Sequence, residues 1–114
     1  MTIPQQVRET AEVALGEFCR EHSSGAVADQ SRFTYSMASN AALLIQQRPS
    51  FMKPSEWTDR PMAKFRYSEA RNEWSLYWID SSGRWRKVPD VHGEKDIRLL
   101  LKVVLSDPLG VFWG

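Results

Sequence analysis

Cys19 and His22 are the first residues of the chain whose types and spacing could support chemistry. They lie three positions apart in a segment with helical periodicity, so one helix face can carry both. A thiol beside an imidazole is a candidate nucleophile–base pair, and with His92 it is a candidate zinc site. The chain has no second Cys, and Cys19 follows the apolar Phe18. A buried thiol explains the pattern better, so we predict no catalytic residue, no metal site and no cofactor.

Other catalytic patterns are weak. Gly83 and Gly93 are isolated, so no glycine-rich loop is present to hold a phosphate. Acidic pairs such as Glu17 and Glu21 have the spacing of a solvated helix face. Nothing in the sequence therefore nominates a general acid or base.

A basic region near the middle of the chain offers a second kind of chemistry. Lys64 and Arg66 share one face of a predicted strand, and Arg84 and Arg86 share one face of a later strand. Sheets that bind single-stranded nucleic acid combine such cations with stacking aromatic rings. The alternative is that these four residues form only the solvent face of the sheet while the Trp residues build the core. An acidic protein partner is a third interpretation, and the net charge of +1 argues against a strongly basic nucleic-acid binder.

The elements that must position these residues follow from hydrophobic periodicity and turn signals. We predict, in order, a helix over about residues 3–22, strands over 32–37 and 41–48, an ordered loop over 49–61, strands over 62–67, 74–79 and 84–88, and a helix over 94–106. Ser39-Asn40 and Asp80-Ser81-Ser82-Gly83 are the turn signals between strands. The loop prediction depends on three prolines in residues 49–61.

Two segments indicate where the core lies. Residues 74–79 are apolar on both sides, which is typical of a central strand. Residues 97–105 carry only Arg98 and Lys102 as polar side chains, so the last helix is nearly surrounded by protein. We therefore predict one α+β domain over residues 1–114, with an antiparallel sheet of about five short strands in hairpins and a helix packed on it. The core would include Phe65, Leu76, Trp78 and Leu101.

The C-terminal tail is unusually aromatic. Phe112 and Trp113 stand next to the end of the sequence, after Pro108 and Gly110, which favour a sharp reversal behind a helix. We predict that the tail docks on its own domain, and the competing hypothesis is a tail held out for a partner.

Sequence features that direct a chain to a compartment are few. No positively charged start followed by an apolar run is present, and no apolar run approaches the length of a membrane span. The single cysteine excludes an internal disulfide and fits a reducing compartment. We therefore expect a cytoplasmic protein without membrane contact.

Several motifs together resemble a family of short bacterial proteins classified as a domain of unknown function. They are Phe18-Cys19, Arg48-Pro49, Trp57, Ala63-Lys64-Phe65-Arg66-Tyr67, Trp74-x-Leu76-Tyr77-Trp78, Gly83-Arg84-Trp85 and the ending Asp107-Pro108-x-Gly110-x-Phe112-Trp113-Gly114. The ending is the most specific of these motifs. The resemblance covers nearly the whole chain and implies the fold and its boundaries, but no activity.

The function predicted from sequence is correspondingly coarse. We expect a small non-catalytic binding or interaction module that acts through its sheet face or edge on a protein partner or on a second copy. A weak nucleic-acid binder without sequence preference is the first alternative, through Lys64, Arg66, Arg84 and Arg86. A small enzyme without a recognisable motif is the second.

Overall fold

The computed structural model describes residues 3–22, 32–50, 52–53 and 55–112. The elements are α1 (Gln5–His22), β1 (Arg32–Met37), β2 (Ala41–Pro49), β3 (Trp57–Ser68), β4 (Glu73–Ile79), β5 (Trp85–Lys87) and α2 (Ile97–Ser106). The five strands form one antiparallel sheet in the order β1-β2-β3-β4-β5. The predicted α+β architecture, with a helix at each end of a hairpin-built sheet, is confirmed.

The first helix buries the face that its periodicity predicts. Its buried side chains are Ala11, Ala14, Leu15, Phe18 and Cys19. They recur at intervals of three and four residues, which keeps them on one side of a helix. The helix begins two residues later than predicted, because Pro4 accepts its first backbone bond, from Arg8, and Ile3 bonds instead to Ser39 in the β1–β2 turn.

The segment predicted as a proline-rich loop is partly strand, so that prediction is wrong. β3 starts at Trp57, and Pro61 lies within it, opposite Ile45. The pairing register shifts between Leu44 and Ile45, directly beside the proline. Proline has no N–H to donate to a strand neighbour, and an irregular register is where a sheet tolerates that loss.

β4 is not the central strand, which corrects a second prediction. β3 lies at the centre, and β4 lies between it and the short edge strand β5. Trp74 and Leu76 are buried on one side of β4, while Tyr77 and Ile79 on the other side are half-exposed. The apolar residues on that second side lie on a partly solvated surface rather than in a core.

Both helices pack on one face of the sheet. Phe65, Leu76 and Leu101 belong to one buried cluster, and the half-buried Trp78 packs against it, as predicted. α2 begins at Ile97 instead of residue 94, because Glu94 pairs with the backbone of Trp74 as an isolated bridge. Its N-cap, Asp96, accepts a hydrogen bond from the backbone of Arg98.

The docked tail is confirmed for Phe112, which is 1% exposed and belongs to the core cluster; Trp113 lies outside the described residues. The reversal centres on Asp107, which ends α2 in the left-handed conformation at φ 43°. Its carboxylate accepts backbone hydrogen bonds from Val111 at 2.8 Å and Phe112 at 3.2 Å. Gly110, at φ 67°, completes the turn. The carboxylate of Asp107 therefore organises the tail, a role that sequence reasoning gave to Pro108 and Gly110 alone.

Candidate binding face of the sheet

The face of the sheet that the helices do not cover carries a continuous row of side chains. Residues directly opposite each other in neighbouring antiparallel strands point to the same side. The register therefore aligns one residue from every strand in a single row: Ser36, Leu43, Lys64, Tyr77 and Lys87. None of these residues belongs to the core cluster. We call this side of the sheet the open face.

Two further cations extend this row toward the β3–β4 turn. Arg66 lies opposite Ala41 and Ser75 in the adjacent row, and Arg71 lies within the turn itself. Across the described ranges, no carboxylate lies within ion-pair distance of Lys64, Arg66, Arg71 or Lys87. These four side chains are the open-face cations, and none of them forms an ion pair with the described part of the chain.

Two of the four cations selected from sequence do not lie on this face. Arg86 is paired with Trp78, so it points to the helix-covered side, and its guanidinium forms an ion pair with Asp80. Arg84 lies in the β4–β5 turn, before the strand begins. Lys64 and Arg66 do share a face as expected, and Lys87 takes the place expected for Arg86.

The length of the β4–β5 loop explains the difference. A four-residue loop at the signal Asp80–Gly83 would have placed Arg86 opposite Tyr77. The actual loop has one more residue, so that Ile79 pairs with Trp85 and Tyr77 with Lys87. A slip of one residue moves every side chain of a strand to the other face.

Asp80 stabilises this longer loop. Its carboxylate accepts hydrogen bonds from the Ser82 hydroxyl at 2.6 Å, the Ser82 backbone at 2.9 Å and the Arg84 backbone at 3.0 Å. These bonds, led by that from the Ser82 hydroxyl and joined by the Arg86 side chain, hold the pKa of Asp80 well below its usual range. The charged carboxylate thus fixes the register that places Lys87 on the open face.

Aromatic rings lie among the open-face cations. Tyr77 stands between Lys64 and Lys87 in the row, and Trp85 is on the same side of β5 as Lys87. Both rings are half-exposed. At the far end of the sheet the Arg32 guanidinium lies 3.8 Å from the centre of the Trp57 ring, which is a cation–π contact. The open face therefore presents both charge and ring surface.

The opposite side of the molecule has a different electrostatic character. Glu9, Glu12, Glu17 and Glu21 all lie on α1. Arg98 of α2 reaches Glu17 at 3.5 Å and Asp96 at 4.0 Å. α1 therefore has more acidic side chains than basic ones, its four Glu standing against two Arg, whereas α2 carries two basic side chains and no acidic one.

Cys19 and His22 have different surroundings in the structure. Cys19 is buried, and this burial raises the pKa of its thiol to about 11, so it stays protonated at neutral pH. The His22 ring packs on Phe18 with a centroid distance of 4.5 Å. Within the described ranges, no group of three His, Cys, Asp or Glu side chains could hold a metal ion.

These features define an α+β domain with a five-stranded antiparallel meander, two helices on one side and an exposed basic face on the other. Residues 3–114 match the family described as a domain of unknown function, DUF3024, and the chain belongs to that family. No curated protein and no solved structure matches the chain. No helix in the described part of the chain is long and apolar enough to cross a membrane.

Proposed function

We propose that this protein is a non-catalytic binding module whose open face takes single-stranded nucleic acid. The observation that carries the proposal is the set of open-face cations, Lys64, Arg66, Arg71 and Lys87, which have no carboxylate partner among the described residues. An unneutralised cluster of one sign attracts a polyanion and concentrates it at the surface.

The geometry favours a single strand over a duplex. Lys64 and Lys87 lie two strand spacings apart, about 10 Å, with the Tyr77 ring between them. A backbone held by the two lysines can place an unpaired base on that ring, and base–aromatic stacking contributes about 1–3 kcal/mol per base. Duplex bases are already stacked on each other and cannot use the ring.

The same geometry supports weak binding without sequence preference. Lysine contacts to phosphate carry no information about the base, and an aromatic ring stacks on any base. α1 carries four Glu against two Arg, so a polyanion is attracted less to this helix than to the open face. The buried, protonated thiol of Cys19 fits the reducing compartment that the proposal assumes, the cytoplasm.

Fluorescence anisotropy with short labelled oligonucleotides tests the proposal. At about 50 mM salt, where screening is weak, the wild type should bind single strands more tightly than a duplex of the same sequence. The affinity should fall steeply with added salt, because each phosphate contact releases a counterion. Absence of binding to single strands at this salt would contradict the proposal and leave an acidic protein as the partner to seek.

A pair of double variants locates the binding surface. Lys64→Gln with Lys87→Gln removes two charges from the open face, and should weaken binding about tenfold or more and flatten the salt dependence. Lys95→Gln with Lys102→Gln removes the same charge from exposed positions on the helix side. The control should bind like the wild type. Equal losses in both double variants would show non-specific attraction in place of a binding face.

A further inference from the structure

One end of the open face is concave. A depression of about 250 Å³ lies between the β1–β2 turn and the β3–β4 turn. Its lining includes three of the open-face cations, Arg66, Arg71 and Lys87, together with the hydroxyl groups of Ser68, Ser75 and Tyr77. The donors of this depression thus come from β3, β4, β5 and the turn between β3 and β4.

The turn that carries Arg71 is held in place by its own side chains. The Ser68 hydroxyl accepts a hydrogen bond from the Arg71 backbone at 3.3 Å. Asn72 adopts the left-handed conformation at φ 52°, and its side-chain oxygen accepts a hydrogen bond from the Tyr67 hydroxyl at 3.2 Å. On the other side of the depression, Asn40 accepts a bond from the Tyr67 backbone at 2.8 Å. Both turns beside the depression are therefore tied to β3 by hydrogen bonds.

The charges that line the depression are all of one sign. No carboxylate is among its lining residues in the described part of the chain. Glu73 belongs to the neighbouring row, opposite Ser68, but its side chain packs directly on Gly93, where a Cβ would have no room. An anion in the depression would therefore meet three cations without facing an acidic side chain in the lining.

We propose, resting on the binding function assigned to the open face, that this depression takes a phosphomonoester, namely the phosphorylated end of a bound strand. A terminal phosphate carries up to two negative charges and three free oxygens, whereas an internal phosphodiester carries one charge. Three converging cations with hydroxyl groups suit the first better than the second. The volume equals the share of about eight water molecules, at about 30 Å³ each, which is room for a phosphoryl group and part of its sugar.

The position of the depression agrees with an end group. It lies at the turn end of β3 and β4 and shares Tyr77 and Lys87 with the row, and Lys64 continues the row beyond it across the sheet. A strand whose terminal phosphate sits in the depression can run along that row in one direction. The depression thus fixes where a bound strand begins, and the row holds the nucleotides next to that end.

Three otherwise identical single-stranded oligonucleotides test the inference, one with a 5′-phosphate, one with a 3′-phosphate and one without a terminal phosphate. One phosphorylated form should bind about tenfold more tightly than the unphosphorylated form. Equal affinity for all three would overturn the end-group inference while leaving the binding face intact. Absence of binding by all three would overturn the binding face itself, so the two failures are distinguishable.

The variants Arg71→Gln and Ser75→Ala distinguish binding of the terminal phosphate in the depression from binding of the strand along the row. Both should reduce the preference for the phosphorylated end. Ser75→Ala should leave the affinity for the unphosphorylated strand within about twofold. Arg71→Gln removes an open-face charge, so it should weaken both strands, and the phosphorylated strand more than the unphosphorylated one. Arg20→Gln, an exposed arginine of α1, is the matched control and should keep the preference. A preference that survives in the first two variants would overturn the assignment to this depression.

Inorganic phosphate gives an independent readout. At constant ionic strength maintained with chloride, phosphate should compete with the preferred phosphorylated strand and leave the unphosphorylated strand bound. In NMR spectra it should shift the amide signals of Ser68 and Arg71. Competition of equal strength against both strands would contradict a site for a terminal phosphate.

Discussion

The two sides of the sheet differ in how their basic side chains are placed. On the helix-covered side, Arg86 is paired with Asp80 and Arg98 with Glu17, while Lys95 and Lys102 have no carboxylate partner in the described part of the chain. On the open face, Lys64, Arg66, Arg71 and Lys87 have no such partner within the described ranges either. The distinctive property of the open face is that three of its unpaired cations line one depression.

The apolar residues of the two faces differ in how deeply they are buried. Residues such as Phe65, Leu44 and Leu76 on the covered face are fully buried, while Leu43 and Ile79 on the open face are half-exposed. The covered face therefore contributes most of the hydrophobic stabilisation. Substitutions on the open face should change binding, and substitutions on the covered face should change stability.

The largest expected effect on stability is at the tail. Phe112→Ala should lower the free energy of unfolding by about 3–5 kcal/mol, since a buried aromatic ring is lost and a cavity remains. Chemical denaturation measures the change. Leu109→Ala, at an exposed position of the same tail, is the control and should cost less than about 0.5 kcal/mol. An unchanged midpoint in Phe112→Ala would mean that the tail does not belong to the core.

A matched pair of leucines tests the contrast between the faces directly. Leu76→Ala on the covered face should cost about 2–5 kcal/mol, because the side chain is 1% exposed. Leu43→Ala on the open face removes the same atoms from a half-exposed position. Its cost should be clearly smaller, about 1 kcal/mol. Equal losses in thermal or denaturant unfolding would show that another element covers the open face.

The smallest expected effect concerns Asp80 and has a defined pH dependence. Because the folded state lowers the pKa of Asp80 below the unfolded value of about 3.9, its carboxylate stabilises the fold above that pH. The contribution is lost as the pH falls through the folded pKa. Asp80→Asn should therefore be less stable than the wild type at neutral pH, and the gap should narrow in acid.

Carboxyl NMR titration of the wild type checks whether the lowered pKa of Asp80 causes this pH dependence. The side-chain signal of Asp80 should remain that of a carboxylate below about pH 3.9. Asp90→Asn, at an exposed position between β5 and α2, is the control for the loss of a surface carboxylate at neutral pH. A titration of Asp80 in the ordinary range would remove the role assigned to it in the loop.

Local patterns predicted much of the architecture. The interval of three and four residues between apolar positions gave α1, and alternation gave the buried positions Ala63, Phe65 and Tyr67 in β3. These patterns depend only on helix and strand geometry, which repeats along any chain. The aromatic ending likewise predicted a docked tail, and the burial of Phe112 agrees with the part of that prediction that falls on described residues.

The central place of β3 and its proline could not be found in this way. Taken alone, Pro61 predicts the end of a strand. The sheet can contain it because it lies opposite Ile45, beside the shift in register. The apolar residues on the second side of β4 predict burial. They are half-exposed because both helices pack on the opposite face of the sheet. Such properties depend on what lies opposite a residue, which the local sequence does not contain.

The sequence by itself determined the class of fold, the alternation of β3 that puts Lys64 and Arg66 on one face, and the absence of a recognisable catalytic motif. The tertiary structure decided which cations share that face, because one extra residue in the Asp80 loop exchanges Arg86 for Lys87. It also brought Arg71, from the β3–β4 turn, to the same depression as Arg66 and Lys87. Which residues of one strand share a face follows from the two-residue period of the strand, so the local sequence predicts it. Register and turn geometry depend on contacts between residues that are distant in the sequence.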